Sequence, residues 1–548
     1  MKSLLLFKVI LFSLCSFLCF NSSNAQQTDS RAEKPKLIVG VVVDQMRWDF
    51  LYRYQDRYTE GGFKRMLREG FTCENTHIDY APTVTACGHT CVYTGSVPSV
   101  HGIAGNNWYD KALGRDVYCA EDTVAQTLGV PHSGYSRSPV NLLTTTIGDE
   151  LKLANNFRSK VVGVSFKDRG AIFPSGHLSD GAYWFDNESG NFVSSTYYFD
   201  DLPEWVKEFN AQKLPEKYLS QTWETLYPID TYKQSTEDNK DYENRLGGKE
   251  TPTFPYDLET LKGDEYGLLK NTPFGNTITF DIARAAIEAE NLGGGEFTDM
   301  LTISFSTPDG LGHTVGPNAI EIEDTYLRMD KEFEAFFEYL DEKYGRDGYL
   351  FFITADHGVS QSPGFLKEKG LPTGVYGSEV VEQINEKVSE KYNIEKVIES
   401  SANYHLYLNW KNVYNSDVDI DELYEFICHL VRQHPGIADA VPMKDLGEAA
   451  LPRPVREKFV NGYNAKRSGD IAILFQPNWK GGRWSGATHG LWHPYDSHIP
   501  LVWMGWNIKQ GHTNRQIGMT DISPTLAAML KIQMPSGSIG HPILEITD

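Results

Sequence analysis

Apolar and polar positions along the chain follow two rhythms. Lys36-Leu-Ile-Val-Gly-Val-Val-Val43 is an almost unbroken apolar, β-branched run. That is the pattern of a strand buried on both faces, as in a parallel sheet. Similar runs lie at 160–166, 300–305, 349–354 and 500–505. Between them the apolar positions step by three and four. Ile322, Tyr326, Met329, Phe333, Phe336 and Leu340 mark one face of a long helix. Buried strands alternating with helices predict a doubly wound α/β domain, with three α/β/α layers around a central, mostly parallel sheet. Two stretches break the rhythm. Residues 181–275 are rich in Tyr, Trp, Pro and Asn with little periodicity, and 366–484 hold a few short strands and helices near 378–392 and 419–433. Both read as insertions. The expected division is therefore a leader at 1–25, catalytic core at 26–180, an insertion at 181–275, core at 276–365, a small α+β cap at 366–484, and core again at 485–548.

The first residues carry a different message. Lys2 and Lys8 flank and interrupt the apolar run from Leu4 to Phe20, and Asn21-Ser-Ser-Asn-Ala25 follows. This reads as a signal peptide cut after Ala25, which places the mature chain in the periplasm or outside the cell. The run is short for a membrane anchor, and no other stretch nears the ~20 apolar residues of a span, so no stable membrane insertion is expected after cleavage. Of seven cysteines, Cys15 and Cys19 leave with the leader. The remaining five, at 73, 87, 91, 119 and 428, form neither a disulfide framework nor a zinc-ribbon spacing. The 548-residue chain has a net charge of −22, with 51 basic and 73 acidic residues. So acidic a chain is a poor nucleic-acid binder, and any site for a phosphoryl group must bring its own local positive charge.

Ligands of open parallel sheets bind beyond the carboxyl ends of the strands. Asp44 follows the first run. Thr307-Pro-Asp309-Gly-Leu-Gly-His313 follows the run at 300–305, Ala355-Asp356-His357-Gly358 the run at 349–354, and Lys167-Asp168-Arg169 the run at 160–166. One aspartate at a strand end usually caps the next helix; three strand ends with two histidines among them point to metal. Carboxylate and imidazole donors without thiolates suit a catalytic Zn²⁺, with Mn²⁺ and Fe²⁺ open on the same donors. Asp44, Asp309, His313, Asp356 and His357 are too many for one tetrahedral ion with an open position. Two ions, roughly 3.5–4 Å apart, share them naturally. His489, in Ala487-Thr-His489-Gly490, is the sixth candidate, with His493 and His498 as near alternatives.

Ala81-Pro-Thr-Val-Thr-Ala-Cys-Gly-His-Thr90 reads as a loop entering a helix, with Pro in the first turn and Thr83 or Thr85 as its cap. A helix N-terminus also attracts anions, and a metal-bound hydroxyl there can ionise and attack. Asn106, in a Gly-rich turn, either binds an oxyanion or makes the turn. Lys167 and Arg169 are two apart; in extended geometry they point to one side, and an anion such as a phosphoryl group would bridge them.

These residues resemble the alkaline phosphatase superfamily and, within it, the phosphate-irrepressible (PafA-type) bacterial alkaline phosphatases. The likeness runs through Val42-Val-Asp44-Gln-Met-Arg-Trp-Asp49, Ala81 to His89, Thr94 to Trp108, Lys167-Asp-Arg169, Asp309 to His313, Ala355-Asp-His-Gly358, Asn461 to Gly469 and Tyr495 to Pro500. The resemblance implies two Zn²⁺ per chain. Asp309, His313 and His489 would hold one. Asp44, Asp356 and His357, with the Thr85 oxygen, would hold the other. It implies Thr85 as nucleophile and Asn106, Lys167 and Arg169 as the phosphoryl-binding trio, the two cations standing where other alkaline phosphatases use magnesium. Cys87 lacks the CxPxR context of a sulfatase. The expectation is a monomeric phosphomonoesterase acting on small phosphorylated substrates through a phosphothreonine. The alternatives are a phosphodiesterase or nucleotide pyrophosphatase of the same superfamily, and a non-catalytic exported metal-binding protein.

Overall fold

The run at 37–43 forms strand β1 (Leu37–Val43), buried along its whole length. It lies inside the main sheet of a computed structural model that describes residues 34–130, 135–263, 265–377 and 379–547. The expected leader, residues 1–25, falls outside the described residues. Six further strands frame the site: β2 (Phe71–His77), β3 (Val161–Ser165), β4 (Gly181–Phe185), β5 (Asp299–Phe305), β6 (Tyr349–Thr354) and β7 (Leu501–Gly505). Across the sheet they stand in the order β2-β7-β6-β1-β5-β3-β4. The five from β6 to β4 run parallel, and β7 is antiparallel to both neighbours.

Register fixes where the functional side chains emerge. Val43 pairs with Phe305, Val42 with Thr354, and Ser304 with Ser165. The carboxyl ends of four adjacent strands are therefore level, and the residues after them share one rim.

Adjacent residues of a strand face opposite sides of the sheet, and β6 displays both layers. Phe351 meets Phe337 of the long helix at 4.9 Å between ring centroids, while Phe352 meets Tyr93 on the other side at 6.0 Å. The long helix is Ile320–Tyr344, and all six apolar positions expected to form its face are buried. Tyr93 belongs to helix α1 (Thr85–Thr94), which packs beside α2 (Asp168–Ser175). The helix after β5, α3 (Thr307–Val315), precedes the long helix, α4 (Ile320–Tyr344).

Residues 366–484 hold a four-stranded sheet of their own, ordered Ile398–Ala402, His405–Leu408, Ile471–Phe475, Ile437–Pro442. Helices Glu379–Tyr392 and Ile420–Arg432 cover it and share a separate apolar core with it. Between 181 and 275 the chain departs from its unpatterned reading at the start. Gly-Ala-Tyr-Trp-Phe185 pairs in parallel with β3, and Phe192–Ser195 pairs with it in turn. Aromatic side chains replace the aliphatic run there, which hides the strand. Strands β2 and Gly511–Gly518, paired in parallel, carry polar residues and were also unforeseen. No helix among the described residues is long and apolar enough to cross a membrane. All five described cysteines are buried and free.

Candidate active site

Asp44 leaves β1 directly into the rim, and its backbone N–H donates to Phe305 O at 3.0 Å. Asp309 sits in the first turn of α3, behind Thr307-Pro308. His313 is one turn later on the same face, its Nε2 3.1 Å from Asp309 Oδ1. Asp356 and His357 follow β6, both fully buried. His489 comes from a loop, yet its Nε2 lies 3.4 Å from the same Asp309 oxygen. The six expected donors therefore gather in one place. His357 Nε2 stands 3.4 Å from Asp44 Oδ1 and 3.3 Å from Asp356 Oδ2. Its ring stacks on His489 at 3.4 Å between centroids. Two overlapping donor groups result, Asp44-Asp356-His357 and Asp309-His357-His489. His357 is thus within reach of both, and His313 approaches the second through Asp309.

The three histidines share a wiring pattern. His313 Nδ1 meets Ala487 O at 2.9 Å, His357 Nδ1 meets Gly358 O at 2.9 Å, and His489 Nδ1 meets Thr83 O at 2.8 Å. A backbone carbonyl accepts only from N–H, so each Nδ1 carries a proton and each Nε2 is the ring nitrogen turned to the rim. Against the effect of burial, Asp309 beside His313 raises that ring's pKa, so a cation bound there would displace a proton from it. Burial also lowers the His357 pKa to about 3, which keeps the ring neutral.

The carboxylates are short of positive charge. Lys167 Nζ donates to Asp44 Oδ2 at 2.6 Å and Asp309 Oδ2 at 2.5 Å. Asp44 Oδ1 and Asp356 Oδ2 are buried without a hydrogen bond. Burial, with Asp309 and Asp356 nearby, pushes Asp44 well above the usual carboxylate range. Burial opposes ionisation of Asp309 too, but His313 and Lys167 hold it well below that range. Three buried carboxylates, two orphan oxygens and three imidazole Nε2 atoms aimed at one rim fit divalent cations.

Thr85 opens α1 as its first helical residue and is 1 % exposed. The expected capping does not occur: Val84 holds the cap position without a side-chain bond, and Pro82 lies upstream of the helix. Thr83 is used elsewhere, its hydroxyl donating to Leu491 O at 2.7 Å. The Thr85 hydroxyl is left facing the rim, 3.5 Å from His357 Nε2. A Cβ at Gly88 would come within 2.2 Å of Asp356 O, so only glycine lets α1 lie this close to the aspartate.

Asn106 Oδ1 accepts from the Ala86 N–H at 3.0 Å. Its carbonyl end thus ties the turn to the residue after Thr85, and its amide N–H₂ stays available. Lys167 and Arg169 do not lie in an extended segment as expected, because Lys167 caps α2 and Arg169 is already helical. Both nevertheless line one cavity of about 540 Å³, and Arg169 Nη1 donates to Tyr118 OH at 3.1 Å. A larger cleft of about 980 Å³, lined by Arg453, Arg456 and Lys458, contains none of these residues.

Two side chains at the rim escaped the sequence reading. Gln45, at φ +70°, gives its backbone N–H to Asp356 Oδ1 at 3.1 Å and its side-chain N–H to Asp309 Oδ1 at 2.7 Å. It ties one aspartate of each donor group together. A Cβ at Gly312 would fall 1.9 Å from Gln45 Oε1. His89, one turn after Thr85, bonds Thr85 O at 2.9 Å and Ser304 Oγ at 2.8 Å, with Nδ1 3.2 Å from Asp356 Oδ2. The dipeptide Asp44-Gln45 at a strand end was the one visible signal for Gln45.

The profile of the type I phosphodiesterase / nucleotide pyrophosphatase family matches residues 38–496. Alkaline phosphatase PafA of Elizabethkingia meningoseptica is 47% identical over 525 residues, 95% of this chain and 96% of the relative. Alkaline phosphatase PhoV of Synechococcus elongatus is 45% identical over 557 residues, covering 98% and 99%. A protein of Myroides odoratus named calcium-transporting ATPase is 47% identical over 542 residues, covering 98% of both. The crystal structure of wild-type PafA superposes with a TM-score of 0.92 at 47% identity, over 94% of this chain and 99% of that one.

Proposed function

The chain belongs to the type I phosphodiesterase / nucleotide pyrophosphatase family, among the relatives of the PafA and PhoV alkaline phosphatases; it is a phosphatase, and from that premise we propose how its residues hydrolyse phosphate monoesters. The observation that carries the reading is the convergence of three Nδ1-anchored imidazoles and three buried aspartates on one rim, with the Thr85 hydroxyl 3.5 Å from His357 Nε2. Asp309, His313 and His489 would hold one divalent ion. Asp44, Asp356 and His357, with the Thr85 oxygen, would hold another. The donor set favours zinc. Bound ions supply Lewis acidity, lowering the pKa of a coordinated hydroxyl and offsetting charge on the departing oxygen.

Thr85 Oγ attacks phosphorus as its proton is lost to solvent. The P–O bond to the leaving group breaks, the alcohol takes up a proton, and the phosphoryl group rests on Thr85. Water then loses a proton as it attacks phosphorus from the side opposite Thr85, the P–Oγ bond breaks, Thr85 Oγ takes up a proton, and inorganic phosphate leaves. The transition states are loose, so positioning and charge stabilisation do most of the catalysis. Arg169, with Nε free of hydrogen bonds, and the Asn106 amide serve the non-bridging oxygens. Lys167 neutralises the rim from the same side. A dianionic monoester uses these cations fully; a diester carries one charge fewer and a bulkier group. The apolar run at 4–20 fits an exported chain, and the −22 charge fits small phosphorylated substrates rather than nucleic acids; we take the chain to act as a monomer.

The test compares a phosphate monoester with its methyl diester on the wild type and on a Lys167→Ala, Arg169→Ala double variant. The expected outcome is a monoester preference that collapses in the variant, because monoester turnover falls far more than diester turnover. A wild type that prefers the diester would make the chain a phosphodiesterase instead.

A further inference from the structure

The segment between 181 and 275 reaches the phosphoryl site through one side chain that the mechanism above does not use. Its last turn, Gly267–Asn271, is anchored by the fully buried Leu269 and packs on α3 one residue beyond Asp309. The contact is close at Gly310. A Cβ there would lie 2.6 Å from Asn271 Oδ1 and 3.1 Å from Lys270 Cε. The Lys270 stem therefore crosses the face of α3 beside Asp309, and its end lines the same cavity of about 540 Å³ as Lys167 and Arg169. Among the described residues its ammonium has no hydrogen bond and no salt bridge, although Asp186, Glu188 and Glu265 line the same cavity. The charges it feels most are those of the site. Burial, then Lys167 and Arg169, lower its pKa, against the pull of Asp309 and Asp44. A half-buried, unpaired ammonium held against two other cations is costly unless an anion comes to it.

We propose that Lys270 is a third phosphoryl-selecting cation, delivered by the 181–275 segment, which favours a dianionic phosphoryl group over a monoanionic one. The inference rests on the phosphatase reading above. Monoester and diester differ by one formal charge on a non-bridging oxygen, and a fixed cation in a low-dielectric cavity separates them by Coulomb energy even without direct contact. Inorganic phosphate, the product, carries the same charge as the monoester and is the natural probe.

The experiment measures competitive inhibition by inorganic phosphate, and kcat/KM for a monoester and its methyl diester. The enzymes are the metal-loaded wild type, Lys270→Ala, Lys270→Gln and Lys270→Arg, each checked for metal content. Ala and Gln are expected to weaken phosphate inhibition and monoester kcat/KM about tenfold, the scale of one charge-assisted interaction, with a clearly smaller effect on the diester. Arg is expected to restore most of both. Phosphate inhibition unchanged in Ala and Gln, or equal losses on both esters that Arg fails to rescue, would overturn the role of Lys270. A wild type that hydrolyses no monoester would overturn the underlying reading instead, and the two failures are separable in one data set.

Discussion

Thr83 and Thr85 share a loop and a chemistry, and the fold gives them opposite tasks. The Thr83 hydroxyl is consumed by Leu491 O, while its own carbonyl accepts from His489. Thr85 keeps its hydroxyl on the rim, with only the long 3.5 Å contact to His357 Nε2 among the described residues. A Thr85→Ala variant is therefore expected to keep both ions by elemental analysis and to lose hydrolysis at least about a thousandfold. A variant that hydrolyses normally would remove Thr85 from the mechanism. Gln45 is a positioning residue for both aspartates it touches. Gln45→Leu is expected to lower ion affinity about 10–100-fold in chelator competition, the usual effect of losing an outer-shell partner, while the chelated protein melts as before. At this scale Asp44, Asp309, His313, Asp356 and His357 were legible as candidates because they follow recognisable strand runs, whereas His489 leaves a loop and had His493 and His498 as rivals. Gln45 and Lys270 were not. An amide and a lysine carry no pattern of their own; a left-handed turn at Gln45 and a contact at Gly310 bring them to the rim.

Helix α4 shows how an element holds the surrounding segments. Its first turn buries Glu321 and Glu323 at the positive end of the helix dipole, and Asp324 is buried directly after them. Asp324 accepts from Trp223 Nε1 at 2.8 Å, Leu226 N at 2.6 Å and Tyr232 OH at 2.5 Å, which fastens residues 223–232 to the core. Asp324→Ala strands those buried donors and is expected to cost about 3 kcal/mol in denaturant unfolding. Glu321 and Glu243 titrate against the same helix. Burial raises Glu321 from 4.5 to about 7; burial, then the neighbouring Glu321, raises Glu243 from 4.5 to about 8. The folded state thus holds protons that the unfolded chain releases. Their stabilising contribution is complete below about pH 4.5 and is lost as pH rises through the folded values. The Glu243→Gln, Glu321→Gln double variant should show a smaller fall in Tm than the wild type between about pH 5.5 and pH 9. An equal or steeper fall would contradict the assignment. Aliphatic strands and the stepped apolar face of α4 were readable in advance. The aromatic strand β4 and the polar strands β2 and 511–518 were not, since their partners rather than their composition make them strands.

On the scale of the whole molecule, a sheet with four level carboxyl ends gathers residues separated by more than 400 positions onto one rim. Residues 366–484 fold around their own core, and the preceding 181–275 segment lends the rim Lys270. No sequence periodicity reports such a loan, because it depends on one turn docking on one helix. The proposed reaction needs paired divalent ions beside Thr85. Its most direct test is the metal stoichiometry of the purified chain, read together with monoester turnover before chelation, after it and after zinc is returned. Two ions per chain, turnover lost with them and regained on their return, is the expected result. Full turnover by a chain stripped of every ion would contradict it.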